Sequence, residues 1–515
     1  MAEMIDVEYF NEHIVGAYNK GHASEELACD IGIARSIIPP GTAALRDFSY
    51  IAPDIPELIP DQCVGCMDCV IECPDTAILG KVVTQEVLDR ELSTMKDPQE
   101  KEHLQKLYIK TRKYYEIKEK KGETPGLFTI AIDPTKCKGC GECVQVCADK
   151  KALKMIRKND QIMKEARSHM SLYRQLPETP REFINEKLLS DMMLSERSLL
   201  YTGGAGSCMG CGEATAIRMM LAATGFIYEK ENMGIVAATG CNTVYCSTYP
   251  YNPFRVSWTN SLFENACADA MGVRMRWNQL GWQNKKIWVI GGDGAMLDIG
   301  FQSMSRLLAS GMDINIMILD TQVYSNTGGQ ASTASFMGQN AKMSTIGKAH
   351  AGKTEHRKEI CNIAMMHPQA YVAQTTAALS NHFYRAIMEA NEYKGPSVVN
   401  VYTTCQPEHG VADDASVRQE KMAVDSRAFP ILIYDPRLGA RMKERLSLRG
   451  NPQMKEDWYH HPQTGEALDF IAFARTEGRF AKQFDKEGHP SGALKRSQED
   501  RLANWHLLQE LAGII

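Results

Sequence analysis

At 515 residues the chain has room for about two to four domains, and its 44% apolar residues can supply a core to each. Its 58 basic and 63 acidic side chains leave a net charge of −5, which argues against nucleic-acid and membrane-surface partners. The first ten residues are acidic and lack an apolar stretch, and nowhere do roughly eighteen apolar residues run together, so neither a signal peptide nor a membrane span is predicted. A reducing, cytoplasmic setting is the expectation.

Residues 1–55 contain no chemical motif and end in the proline-punctuated segment Ile51-Ala-Pro-Asp-Ile-Pro-Glu-Leu-Ile-Pro60, which reads as an N-terminal arm. Residues 56–200 are dominated by cysteine. Cys63, Cys66, Cys69 and Cys73, then Cys137, Cys140, Cys143 and Cys147, repeat the spacing CxxCxxCxxxC. A 4Fe-4S cube needs a thiolate on each iron, and three thiolates two residues apart let one tight loop wrap three corners. The fourth comes from elsewhere, and in two-cluster bacterial-type ferredoxins the last cysteine of each run crosses to the other cube. The spacing therefore predicts Cys63, Cys66 and Cys69 with Cys147, and Cys137, Cys140 and Cys143 with Cys73, in a ferredoxin-like α+β domain. Pro74 follows the first run as that pattern asks, whereas Ala148 replaces the second proline without removing a ligand. Zinc would take one closed tetrahedron from two CxxC pairs, which two complete four-cysteine runs exceed. A disulfide scaffold does not suit a chain of this length without a secretory signal. Between the runs lies a charged insertion, Lys96 to Glu123, in which Leu104, Leu107, Tyr108 and Tyr115 recur at helical spacing and predict an amphipathic surface helix.

Residues 201–435 alternate apolar runs with helical patterns, the signature of βαβ units around a mostly parallel sheet flanked by helices. Ile287-Trp-Val-Ile290 reads as a buried strand leading into Gly291-Gly-Asp-Gly294, and Ile314-Asn-Ile-Met-Ile-Leu319 as a second, ending in Asp320-Thr-Gln-Val-Tyr-Ser-Asn-Thr-Gly-Gly329. Each strand delivers a polar, glycine-bearing loop to the carboxyl edge of the sheet, where open α/β folds bind ligands. Gly292 and Gly294 let backbone approach a diphosphate, and the helix that follows offers amides to its charge. Asp293 offers a carboxylate oxygen to Mg²⁺, and the Thr321 hydroxyl and Val323 carbonyl are further hard donors for the same octahedron. A nucleotide-binding or purely structural turn is the competing reading of a Gly-Asp-Gly.

At these residues the chain resembles the pyruvate:ferredoxin oxidoreductases, over roughly residues 56–480: Gly292-Asp-Gly294 with Asp298-Ile-Gly300, Leu308-Ala-Ser-Gly311, and Asp320-Thr321 with Val323-Tyr-Ser-Asn-Thr-Gly-Gly-Gln330. The resemblance implies a thiamine diphosphate held through Mg²⁺ by Asp293, Thr321 and Val323, with Asn326 beside the reacting thiazolium as the catalytic residue. It also implies a third 4Fe-4S cluster near the thiamine, ligated by Cys208 and Cys211 of Cys208-Met-Gly-Cys211-Gly-Glu213, Cys241 of Ala238-Thr-Gly-Cys241, and Cys405 ahead of His409-Gly410. A buried structural thiol is the ordinary meaning of any one of these, and Cys29, Cys246, Cys267 and Cys361 are read that way.

The implied activity is coenzyme A-dependent oxidative decarboxylation of pyruvate, reversible to reductive carboxylation, with electrons leaving through three clusters to ferredoxin or flavodoxin. 2-Oxoglutarate is the alternative substrate, and a non-catalytic electron-transfer subunit the alternative of another class. Single-chain members of the family carry pyrimidine-binding and coenzyme A-binding domains ahead of the ferredoxin-like part. A second subunit is therefore expected to bring them, in a hetero-oligomer such as a dimer of heterodimers. Residues 436–515 read as a C-terminal extension, with a helical tail from Leu494 that packs between subunits.

Overall fold

The computed structural model describes residues 6–27, 37–344, 347 and 351–515, so Cys29 lies outside the described residues. The chain divides into two compact units, Met1–Gly210 with Ile217–Lys230 and Tyr245–Val256, and Cys211–Ala216 with Glu231–Val244 and Ser257–Ile515.

The first unit is built on two antiparallel strand pairs. Strand β1 (Asp54–Leu58) pairs with β4 (Leu153–Arg157), and β2 (Ile78–Val83) with β3 (Leu127–Ile132). Short helices Asp68–Ile71 and Glu142–Val146 begin inside the two cysteine runs and pack against each other. The loops that precede them share one backbone path. Gly65 and Gly139 have φ of 73° and 72°, and Met67 and Gly141 follow at 71° and 88°. Met67 thus occupies a left-handed conformation that costs a side-chain-bearing residue about 1 kcal/mol or more. It is 1% exposed, and its sulfur fills the space where Gly80 has no Cβ, so packing holds the strained backbone.

The segment read as an N-terminal arm is helical from Val7 to Lys20, and Phe10, Ile14 and Val15 pack with Ala43 and Tyr251. The insertion is not one helix. Helix Pro98–Lys106, N-capped by Asp97, stops where Ile109 bridges to Phe128, and helical structure resumes at Arg112. Leu104 and Tyr108 are buried with Leu88, Leu127 and Leu172, while Leu107 and Tyr115 pack only partly.

The second unit carries an eight-stranded sheet. Its order is β12 (Leu446–Ser447), β11 (Leu432–Tyr434), β9 (Tyr371–Thr376), β10 (Ser397–Tyr402), β8 (Asn315–Asp320), β7 (Lys286–Gly292), β5 (Met233–Ala238) and β6 (Ser257–Ser261). The pairs from β9 to β6 are parallel, and β11 and β12 join antiparallel at one edge. In β8, β9 and β10 every residue is buried, which explains why none alternates apolar with exposed polar positions: a parallel strand covered by helices on both faces has no solvent side to alternate with. Edge strand β6 has no buried residue.

The segment read as a C-terminal extension is built into this unit. It supplies β12, and Trp505 and Leu508 of helix Gly492–Leu511 join the core that contains Ile316 and Val398. Phe470, Phe473, Phe480 and Leu494 close on Phe336.

Candidate functional site

Strands β7 and β8 are parallel neighbours with Gly292 opposite Leu319, so the loops after them leave the sheet side by side. The chain turns at Asp293 into a helical turn, Gly294–Ile299, while Thr321 to Gly329 forms the facing loop. Gly294 is required by the close approach of the two, since a Cβ there would lie 2.2 Å from the ring of Tyr324. The Tyr324 hydroxyl donates to Asp298 at 3.0 Å and ties the loops together.

Between them the three oxygen donors predicted from sequence converge. Thr321 donates its amide (3.2 Å) and its hydroxyl (3.1 Å) toward Asp293 Oδ1, and the same hydroxyl lies 3.0 Å from the Val323 carbonyl. Adjacent corners of a Mg²⁺ octahedron with 2.0–2.1 Å bonds are about 2.9 Å apart, so these donors are spaced as cis ligands of one small cation. Burial, and then the Asp320 carboxylate, push the Asp293 acid up to about 7 against the pull of Ser332, Thr321 and Arg357. A buried acid with an elevated pKa gives up its proton to a divalent cation, so binding is coupled to ionisation.

The surrounding cleft is open to solvent and includes Gly240, Cys241, Phe263, Gly292, Asp293 and Asn326 in its wall. Asn326 is exposed there, available to a ligand that enters from outside. Cys241, one of the four cysteines of the implied third cluster, thus shares a cleft with the oxygen donors. Of the other three, Cys211 and Cys405 belong to the same unit, and Gly212 N–H donates to the Thr404 carbonyl at 3.1 Å, which joins the backbone beside both. Cys208 belongs to the first unit.

Within the first unit, Cys63, Cys66, Cys69 and Cys147 line one cavity together with Val64 and Lys150. Burial is the leading cause of the raised thiol pKa of Cys137, pushed up to about 12, and of Cys140 and Cys143, and Cys73 is among the neighbours that add to it at all three. The fold therefore brings Cys147 into the cavity of the first three cysteines and sets Cys73 near Cys137, Cys140 and Cys143. None of the eight is tied up in a disulfide.

Several residues around the cleft had no signature in the sequence. Ser332 donates to the second Asp293 oxygen, and Arg357, 1% exposed at its side chain, forms an ion pair with fully buried Asp320. His409, Glu477 and Arg479 form a buried group behind the Thr321 loop. These contacts join residues far apart in the chain; Ser332 lies close to a recognisable string, and His409 lies in the string after Cys405, which gave it no role.

The family described as thiamine pyrophosphate enzyme, C-terminal TPP binding domain, matches residues 238–401, and a 4Fe-4S dicluster domain matches residues 62–151. A pyruvate-flavodoxin oxidoreductase of Rhodospirillum rubrum is 26% identical over 88% of this chain and 41% of its own length. A pyruvate:ferredoxin oxidoreductase of Moorella thermoacetica is 27% identical over 82% of this chain and 40% of that protein. Over most of its length the chain is similar to pyruvate-flavodoxin and pyruvate:ferredoxin oxidoreductases. It spans about two fifths of the length of the curated relatives it matches. Among solved structures, a 2-oxoglutarate:ferredoxin oxidoreductase from Magnetococcus marinus aligns over 39% of this chain and 64% of that one, at 22% identity and a TM-score of 0.33. The mostly parallel sheet and the dicluster domain ahead of it agree with the fold class read from the sequence. Among the described residues no helix is long and apolar enough to cross a membrane.

Proposed function

We propose that the chain is the thiamine diphosphate-binding part of a 2-oxoacid:ferredoxin oxidoreductase, with pyruvate as substrate. Convergence of Asp293, Thr321 and Val323 oxygens in the cleft that Cys241 also lines is the observation that carries this reading. The net reaction converts pyruvate and coenzyme A to an acetyl thioester, CO₂, a proton and two electrons. Thiamine diphosphate, when bound, supplies the electron sink for loss of CO₂. Asp293, Thr321 and Val323 would hold its Mg²⁺, Gly292 would leave room for the diphosphate while Gly294 leaves room for the Tyr324 ring, and Asn326 would face the reacting end. Cys208, Cys211, Cys241 and Cys405 would bind the cluster beside it. The two quartets in the first unit would bind the clusters that pass electrons singly to ferredoxin or flavodoxin.

The need to keep cluster-binding thiolates reduced supports a reducing compartment such as the cytoplasm. The groups that grip the aminopyrimidine and coenzyme A come from polypeptide outside these residues, placed here on a second subunit of a hetero-oligomer.

The test is reconstitution of the complex with Mg²⁺ and thiamine diphosphate, followed by assay against a panel of 2-oxoacids with coenzyme A and a ferredoxin. The expected result is pyruvate turnover and about twelve iron atoms per chain. Asp293→Ala should abolish thiamine diphosphate binding and activity while leaving the cluster absorption intact. Undiminished activity in that variant would make the chain a non-catalytic electron carrier, and preference for another 2-oxoacid would overturn the choice of pyruvate.

A further inference from the structure

The magnesium-side loop contains a residue under strain. Gln322, between Thr321 and Val323, has φ of 56°, a left-handed conformation that a side-chain-bearing residue keeps only where its surroundings over-determine it. Those surroundings can be enumerated. The Gln322 carbonyl accepts from Ser335 (2.6 Å) and Gln339 (2.9 Å), and its side-chain oxygen accepts from Arg479 (3.0 Å). The peptide just before it, whose carbonyl belongs to Thr321, lies 2.8 Å from Nε2 of His409.

His409 is fully buried at the end of the helical turn Gln406–His409, which starts immediately after Cys405. Its other ring nitrogen, Nδ1, lies 3.4 Å from the Cys405 backbone nitrogen. The two partners fix the tautomer. A carbonyl can only accept and an amide can only donate, so Nε2 carries the proton toward Thr321 and Nδ1 presents its lone pair to Cys405. A neutral ring is consistent with its setting: burial, and then the Arg479 guanidinium, hold its pKa well below the ordinary histidine value. Glu477, 3.8 Å from Nδ1, is itself paired to Arg479 at 2.6 Å and hydrogen-bonded to Tyr402 at 3.1 Å. One imidazole therefore touches, with opposite hydrogen-bonding roles, the backbone of a magnesium-loop residue and that of a cluster cysteine 84 positions further on.

We infer that His409 is a positioning residue that sets the Thr321–Val323 loop for Mg²⁺ and the Cys405 backbone for the cluster at once, so that loading of the diphosphate site is felt at the cluster. The inference rests on the proposed function. Coupling of this kind is reciprocal, so cluster oxidation state should alter diphosphate affinity by the same factor.

Two near-isosteric variants separate the two contacts. In His409→Gln the side-chain amide reaches the Nε2 position and keeps a donor for Thr321. In His409→Asn the carbonyl occupies the Nδ1 position and keeps an acceptor for Cys405. His409→Leu keeps neither. The experiment measures, in the complete complex, the dissociation constant for thiamine diphosphate with Mg²⁺ by calorimetry. It also measures the midpoint potential of the Cys405 cluster by electron paramagnetic resonance, with and without thiamine diphosphate. Wild type should show a potential that moves on loading. His409→Gln should bind thiamine diphosphate within about twofold of wild type but lose that movement, whereas His409→Asn should bind about tenfold more weakly, the equivalent of one hydrogen bond. Its unloaded cluster should keep the wild-type potential. Equal losses in Gln and Asn at full iron content, or wild-type behaviour in Leu, would overturn the inference while leaving the proposed function standing. Failure of wild type to bind thiamine diphosphate would overturn both.

Discussion

Arg218 places a guanidinium with 2% exposure against one of the crossed cysteines: it donates to the Cys73 carbonyl at 2.8 Å and to the Ile71 carbonyl at 3.1 Å. A buried positive charge stabilises the more negative, reduced state of an adjacent cluster, and net charge is one of the levers that set such potentials. Arg218→Met should lower the midpoint potential of the cluster at Cys73, Cys137, Cys140 and Cys143 by on the order of 50 mV, and Arg218→Lys should recover most of it. Redox titration followed by electron paramagnetic resonance reads the change, and equal potentials in Met and wild type would remove the arginine from the electron path. His169 offers a different kind of test. It is 6% exposed, Nε2 lies 3.1 Å from the Thr129 hydroxyl, and burial first, then His103, lower its pKa to about 3. The unfolded chain takes up this proton near pH 6.5 and the fold does not, so stability falls as pH drops from there toward about 3. At pH 5.5 the loss is about 1.4 kcal/mol relative to neutral pH. His169→Gln does not titrate. The unfolding free energy of wild type minus that of the variant should therefore shrink as pH falls from 7 to 5.5, and a constant difference would remove His169 as a source of acid lability.

At the scale of elements, what could be read from the sequence was what local covalent geometry or strand burial writes into consecutive residues. The cysteine runs were legible because cluster ligation constrains spacing along a single loop, and even the crossing followed from where a short helix must carry the fourth thiol. Buried β7 and β8 were legible as apolar runs, within a residue or two of their ends, and so were the loops they deliver. The insertion shows the limit. Leu104, Leu107, Tyr108 and Tyr115 keep a helical period, yet Ile109 gives up its helix to pair with Phe128, because a tertiary bridge outweighs a weak propensity. The roles of Ser332, Arg357, His409 and Arg479 were illegible for a related reason. Each meets the site through a contact 37 or more residues away in sequence, from Arg357 to Asp320 up to Arg479 to Gln322, and no pattern in consecutive residues records such a meeting.

For the thiamine-binding unit as a whole, the last eighty residues decide whether there is a folded unit at all. Strand β12 caps the antiparallel edge of the sheet, Trp505 and Leu508 fill the core beside Ile316, and Phe470, Phe473 and Phe480 surround Phe336. Arg479 and Glu477 stand behind the Thr321 loop that the oxygen donors occupy. Fully burying one large apolar side chain stabilises by about 1.5–3 kcal/mol, so losing these four aromatics costs roughly 10 kcal/mol, comparable with the whole stability of an ordinary domain. A chain stopped after Asp435 should therefore lack a cooperative thermal transition for this unit and should bind no thiamine diphosphate. The ferredoxin-like cysteine runs lie entirely outside the deleted segment. Calorimetric unfolding with and without Mg²⁺ and thiamine diphosphate is the measurement. A truncated chain that unfolds cooperatively and is stabilised by the cofactor would mean that the segment is a dispensable extension rather than part of the folded unit.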